Sequence, residues 1–348
     1  MSFRRLTAAA GDWYRPAMTD FDYNRIAAAR DALAGRVIHT PAMPLCGSKI
    51  APYILDNAEL FIKLELFQHT GSFKARGSCL GIDWLDDAQR QRGVAGFSGG
   101  NFALALAWAA QSAGVPAKVV MSKTADPYRI QGCRDLGAEV VLVDGIAAAL
   151  PMLDRIEAEE GRKILHPFND MNMAYGAASC GAEMVEDMPP LDMVVLPVGG
   201  GGLIAGMAAA IRKMSPDTLI IGVEPEGANS MSRSFASGRP ETLDSINTIA
   251  DSLGAPMALA ESMNLARENV DELITIPDSL MAETMLLMRH TLNIIAEPAC
   301  TASLGSVLGP LRDRAAGKRV GVLACGSNIG QERFGAYTSG ASLPMPPV

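Results

Sequence analysis

Aromatic residues are scarce in this sequence, at 5% of the chain, and there is no excess of positive charge. Thirty lysines and arginines against 38 acidic residues leave a formal net charge of −8. That balance argues against nucleic acid or an anionic membrane surface as the main partner, although a few local amides and one lysine can still hold a phosphate. The six cysteines (Cys46, Cys79, Cys133, Cys180, Cys300, Cys325) include no CxxC pair. Reduced thiols of a cytoplasmic protein are therefore expected, not a disulfide framework. The four histidines show no zinc-like spacing, and no HExxH occurs. No stretch approaches the roughly 20 uninterrupted apolar residues of a membrane helix. The opening MSFRRLTAAAGDWYRP has two arginines but no apolar run behind them, so no signal peptide is read. Fixed-period repeats and low-complexity tracts are also missing. What is present is an ordinary globular composition, 49% apolar and 20% charged, over 348 residues. That length predicts two lobes, not one simple core.

Residues 1–20 are expected to form an N-terminal extension. Helical spacing runs from Tyr23 to Ala34, and His39-Thr-Pro-Ala-Met-Pro reads as an extended link. The run FIKLEL (Phe61–Leu66) alternates apolar and charged residues as a strand does. From Gly93 onward, short β-rich runs alternate with helices: GVAGFS, a helix over Phe102–Ala113, AKVVMS, a helix over Tyr128–Leu136, and AEVVLVD. A second series begins at Met193 with MVVLPV, GGGG and a helix over Leu203–Met214, followed by TLIIGVEPEG and, much later, RVGVLACGSN. This alternation predicts an α/β protein with parallel-rich open sheets flanked by helices. The expected division is a large domain of residues 21–92 and 166–348 and a small domain of 93–165.

Ligands of open parallel sheets bind beyond the carboxyl ends of the strands. Three segments place small residues there: Ser98-Gly-Gly-Asn101, Gly199–Gly202 and Cys325-Gly-Ser-Asn328. Four successive glycines can turn their amides toward one anion, and the helix beginning at Leu203 adds its positive end. A phosphate is the expected occupant. The same segment, as Gly200-x-Gly202-x-x-Ala205 with Glu224 downstream, also satisfies a dinucleotide-binding pattern. A nicotinamide-dependent enzyme therefore stays as an alternative, but it explains neither Lys74 nor the other two glycine turns. Lys74 sits in Gly71-Ser-Phe-Lys-Ala-Arg-Gly77, just after a strand and at a helix start. A lysine amine works through an imine where a pocket lowers its pKa.

The Ser-Phe-Lys-Ala-Arg-Gly segment, Ser-Gly-Gly-Asn, the tetraglycine loop, Glu297-Pro-Ala and Cys-Gly-Ser-Asn follow one another in that order. Over about Ile38 to Ile329 the chain thereby resembles the fold-type II pyridoxal-phosphate enzymes. The likeness is to the serine/threonine dehydratase (threonine ammonia-lyase-like) group in particular. The resemblance implies a two-domain fold like that of the tryptophan synthase β chain, with pyridoxal 5'-phosphate bound by the large domain. It also implies a homodimer and a small amino-acid substrate. The reaction implied is elimination of water from a serine-, threonine- or 3-hydroxyaspartate-type β-hydroxy-amino acid, giving a 2-oxo acid and ammonia. Another lyase or β-replacement enzyme of the same fold is the alternative.

The resemblance also implies roles by position. Lys74 is the Schiff-base lysine and the base for the α-proton. Phe73 lies against the pyridine ring, and Asn101 hydrogen-bonds the ring hydroxyl. Gly199, Gly200, Gly201 and Gly202 bind the phosphate, while Ser98, Gly99, Gly100 and Asn101 grip the substrate carboxylate. Cys325 faces the pyridine nitrogen, where a thiol is only a weak donor. Racemases of the group carry a serine where this chain has Gly99, so elimination on one face is expected over racemisation. Phe102 replaces the group's histidine. Glu224 and Ala228 match a cation-binding segment of some members, but Ser230 stands in place of an aspartate. No metal site is assigned, and a divalent cation is left open. The identity of the hydroxy-amino acid is also open, with His69, Arg76 and Arg129 available as ligands for a second carboxylate.

Overall fold

The structure, a computed structural model, describes residues 21–344 except position 56. The extension expected over 1–20 lies outside the described residues. In chain order the strands are β1 (Ala42–Pro44), β2 (Glu59–Lys63), β3 (Val94–Phe97), β4 (Ala117–Ser122), β5 (Glu139–Val143), β6 (Lys163–Ile164), β7 (Met193–Pro197), β8 (Leu219–Pro225), β9 (Glu272–Ile276) and β10 (Arg319–Leu323). Six of them form one sheet in the order β1-β2-β10-β7-β8-β9, and four form a second in the order β5-β4-β3-β6. Every pairing is parallel except β1 with β2. Parallel sheets are covered by helices on both faces. That is why β7 reads as an unbroken apolar run with all five residues buried. Fourteen α-helices among the described residues supply the cover.

The helix Lys74–Asp83 packs on Met171–Asp187 on one side and on Asn101–Ser112 on the other. One apolar core thus runs from the helix carrying Lys74 to the smaller sheet. The segment FIKLEL departs from a half-exposed strand: β2 ends at Lys63, Glu65–Phe67 is a 3₁₀ turn, and Lys63 and Glu65 are both fully buried. Buried charges need partners, and these have them. Lys63 Nζ lies 2.9 Å from Glu183 and 2.8 Å from Asp187. Arg76 meets Glu65 at 2.8 Å and Glu183 at 2.7 Å. Burial works against charge on Glu183, but Arg76 and Lys63 hold its carboxyl below the usual carboxylate range. This network binds the Lys74 helix to the helix behind it.

Candidate active site

The turn before Lys74 is fastened to the end of β10. Ser72 bridges Gly326 in antiparallel fashion, Phe73 N–H donates to the Cys325 carbonyl at 3.3 Å, and Ser327 N–H donates to the Gly71 carbonyl at 2.9 Å. Two sequence-distant motifs thereby form one wall of a cavity of about 570 Å³, within the range typical of small-molecule sites. The cavity sits where the carboxyl ends of β3, β4, β5 and β7 converge. All eleven site residues expected from the sequence line it: Phe73, Lys74, Ser98, Gly99, Gly100, Asn101, Gly199, Gly200, Gly201, Gly202 and Cys325.

Lys74 Nζ donates to the Pro167 carbonyl and stands 4.8 Å from the centre of the Phe73 ring. Burial pushes the amine down to about 7. Near neutral pH it is therefore available as an uncharged nucleophile. His166 lines the same wall, and burial together with the nearby Lys74 pushes it down to about 3, so it is neutral. Its Nδ1 accepts from the Asn169 N–H at 2.9 Å. At Cys325, contact with Cys300 and burial push the thiol well above its ordinary range, so it too carries no charge.

The tetraglycine turn has a steric reason. Gly201 sits at φ +92° as the residue before the helix Gly202–Met214, a conformation that L side chains rarely adopt. A β-carbon on Gly200 would come within 2.3 Å of the Phe168 ring. The bare backbone at a helix amino end fits a phosphate.

Asn101 opens the helix Asn101–Ser112 and is held from two sides. Its Nδ2 donates to Glu297 Oε1 at 2.5 Å, and its Oδ1 accepts from Asn328 Nδ2 at 2.8 Å. The same Nδ2 also stands 3.5 Å from the Ser252 hydroxyl. Glu297 is buried, and burial, opposed by Arg129, pushes its carboxyl up to about 7. Ser252 donates to its Oε2 at 3.0 Å. A β-carbon at Gly326 would meet Glu297 Oε1 at 2.0 Å, so the glycine of Cys-Gly-Ser-Asn makes room for this carboxylate. Sequence reasoning gave Glu297 no role beyond its motif. It also missed Asp251, Ser252 and Phe168, which lie in irregular segments without a periodic signal.

Of the three residues considered for a second carboxylate, only Arg129 lines the cavity. Arg76 points away, fully buried between Glu65 and Glu183, and His69 stacks on Trp108 at 4.4 Å. Glu224 spends its carboxylate on the N–H groups of Met231 and Ser232 (2.9 and 2.7 Å) and on the Ser232 hydroxyl at 2.5 Å, capping the helix Ser230–Ser237.

Residues 44–326 match a family model described as pyridoxal-phosphate dependent enzyme. Phenylserine dehydratase of Ralstonia pickettii is 43% identical over 316 residues, which span 91% of this chain and 96% of that protein. β-Hydroxyaspartate dehydratase of Paracoccus denitrificans is 33% identical over 316 residues, 90% of this chain and 98% of the relative. The solved structure of maize serine racemase superposes with a TM-score of 0.85 at 30% identity, covering 91% of this chain and 97% of that one.

Proposed function

The chain belongs to the pyridoxal-phosphate-dependent enzyme family, and we propose that it removes the β-hydroxyl and the amino group of a β-hydroxy-α-amino acid. The products are a 2-oxo acid and ammonia. One observation carries the reading: a lysine whose amine is pushed down to about 7 shares a cavity with a side-chain-free tetraglycine turn at a helix amino end and a Ser-Gly-Gly loop. When bound, the cofactor supplies the electron sink for the bonds broken at the α-carbon.

The protein's part is to bind, orient and move protons. In this reading the amides of Gly199–Gly202 would hold the phosphate, and Phe73 and Asn101 would hold the ring. Ser98, Gly99 and Gly100 receive the substrate carboxylate. Lys74 Nζ anchors the cofactor and then takes the α-proton. The electrons of that C–H bond would form the Cα–Cβ double bond as the β-C–O bond breaks, and the departing hydroxide would take up the proton held on Lys74 Nζ and leave as water. Hydrolysis of the released enamine gives the 2-oxo acid and ammonia. The neutral Cys325 thiol would leave the pyridine nitrogen without a strong proton donor, which suits elimination of a β-leaving group. Gly99 offers no group to reprotonate the other face, which weighs against a racemase.

Six free thiols support a cytoplasmic setting, and no helix among the described residues is long and apolar enough to cross a membrane. A homodimer is proposed on the resemblance of the motifs. Lys74→Ala tests the core of the reading. With the fold intact, kcat for 2-oxo acid release from a β-hydroxy-amino acid should fall by about a thousandfold or more. Near wild-type turnover in the folded variant overturns it.

A further inference from the structure

Which β-substituent the cavity accepts depends on what its wall offers. Its cations already have partners. Arg129 Nη1 meets Asp251 at 2.7 Å, its Nη2 meets Glu297 at 3.3 Å, and Nε and Nη2 donate to the Asn328 carbonyl at 3.1 and 2.8 Å. Arg333 stands 3.6 Å from Asp126 and 3.5 Å from Asp251. His166 is neutral, and Lys74 is the amine that the elimination reading commits to the cofactor. Asp126 and Asp251 line the cavity themselves, so a second substrate carboxylate would face two acids and would have to compete with them for Arg129 and Arg333. A carboxylate buried that way is strongly disfavoured.

Much of the remaining wall is apolar, beside the hydroxyls of Ser122, Thr124 and Tyr337. Ile146, Leu150 and Leu153 recur at i, i+4 and i+7 on the helix Ile146–Glu160, forming one stripe that lines the cavity. That helix begins just past the carboxyl end of β5, on the same rim as Ser98 after β3 and Thr124 after β4. The segment between the helices Ser230–Ser237 and Ala260–Asn269 also contributes Leu253 and Met257. Relatives named for phenylserine and for β-hydroxyaspartate align over 91% and 90% of this chain, so coverage alone does not choose between their substrates. The wall does.

We propose that the site takes β-hydroxy-α-amino acids whose β-carbon carries an aryl or branched apolar group, seated on the Ile146–Leu150–Leu153 stripe, and rejects those carrying a second carboxylate. The proposal rests on the elimination reading above. It is tested on the purified holoenzyme with threo-3-phenylserine, threonine and threo-3-hydroxyaspartate, following 2-oxo acid release. Binding of phenylalanine and aspartate, which lack the leaving group, is followed in parallel by the change in cofactor absorption. The expected kcat/KM for phenylserine exceeds that for threonine by about tenfold or more, the range in which apolar pockets discriminate. Hydroxyaspartate falls below threonine, and phenylalanine perturbs the spectrum at lower concentration than aspartate. Leu150→Asp lowers the phenylserine-to-threonine ratio by about tenfold, and Leu150→Ala moves it the same way by a smaller factor. Hydroxyaspartate turnover equal to or above that of phenylserine overturns the proposal, as does an unchanged ratio in both folded variants. If no substrate yields a 2-oxo acid while phenylalanine still outbinds aspartate, the elimination reading fails and the apolar subsite stands.

Discussion

Lys74 is the residue through which pH acts on this site most directly. Without cofactor its amine loses its proton near 7 instead of at the ordinary 10.5. The rate at which the apoprotein captures pyridoxal phosphate should therefore rise with pH and level off just above 7, as read by stopped-flow absorbance. A midpoint still near 10.5 would mean that the amine is solvated. Between the two values the unfolded chain binds more protons than the folded one, so this amine makes the apoprotein more stable as pH rises through that window. Gly99 is the second residue with a sharp consequence. A β-carbon there would meet Ala125 Cβ at 3.4 Å, an ordinary contact, and Gly99 is not among the positive-φ glycines. Serine therefore fits. The wild type is expected to consume one enantiomer without forming the other, and Gly99→Ser to fold, bind cofactor and begin exchanging the α-proton on the opposite face. Chiral chromatography of residual substrate after partial turnover in heavy water reads both. Opposite enantiomer appearing from the wild type as fast as the 2-oxo acid would sink the Gly99 argument.

Secondary-structure elements carry the support for these residues, and the Lys74 helix leans on a charge network that no sequence pattern announced. Arg76→Ala leaves Glu65 without its guanidinium partner and Glu183 with Lys63 and the more distant His39. A loss of about 3–5 kcal/mol is expected in chemical denaturation, the usual cost of breaking a buried pair. A loss below about 1 kcal/mol would mark the network as effectively solvated. Most elements near the site were legible beforehand. AKVVMS is β4 itself, and the helix expected over Phe102–Ala113 runs one residue earlier, at Asn101–Ser112. The helix Met171–Asp187 was not read, because MNMAYGAASCG is rich in glycine and small residues with weak or uninformative helix signals. Those residues are small because neighbours cross there closely: a β-carbon on Gly176 would lie 2.4 Å from the Gly77 nitrogen. Edge strand β9 was missed as well, its residues only partly buried apart from Ile276.

At the scale of the whole molecule, the cavity is bounded by loops from both sheets, so cofactor binding couples them. Stripping pyridoxal phosphate should lower the thermal midpoint, by an amount corresponding to about 2.7 kcal/mol when the ligand stands at a hundred times its Kd. An unchanged midpoint on adding cofactor back would show that it is not held here. We keep the division at 93 and 165 as a proposal. The smaller sheet draws all its strands from 94–164, yet the apolar core beneath it includes the Lys74 helix. The sequence by itself determined the parallel α/β architecture and the glycine turns, because apolar runs, turn residues and helix starts are local patterns. Through its ordered motifs it also determined the cofactor class and singled out Lys74 as the proposed anchor. Only the tertiary structure decided which charges are already spent. That Arg76 faces the interior, that Arg129 is claimed by Asp251, Glu297 and a carbonyl, and that Leu150 faces the cavity are all contacts between segments far apart in the chain. Coulomb energy and desolvation depend on distance through space, and one-dimensional spacing does not encode it.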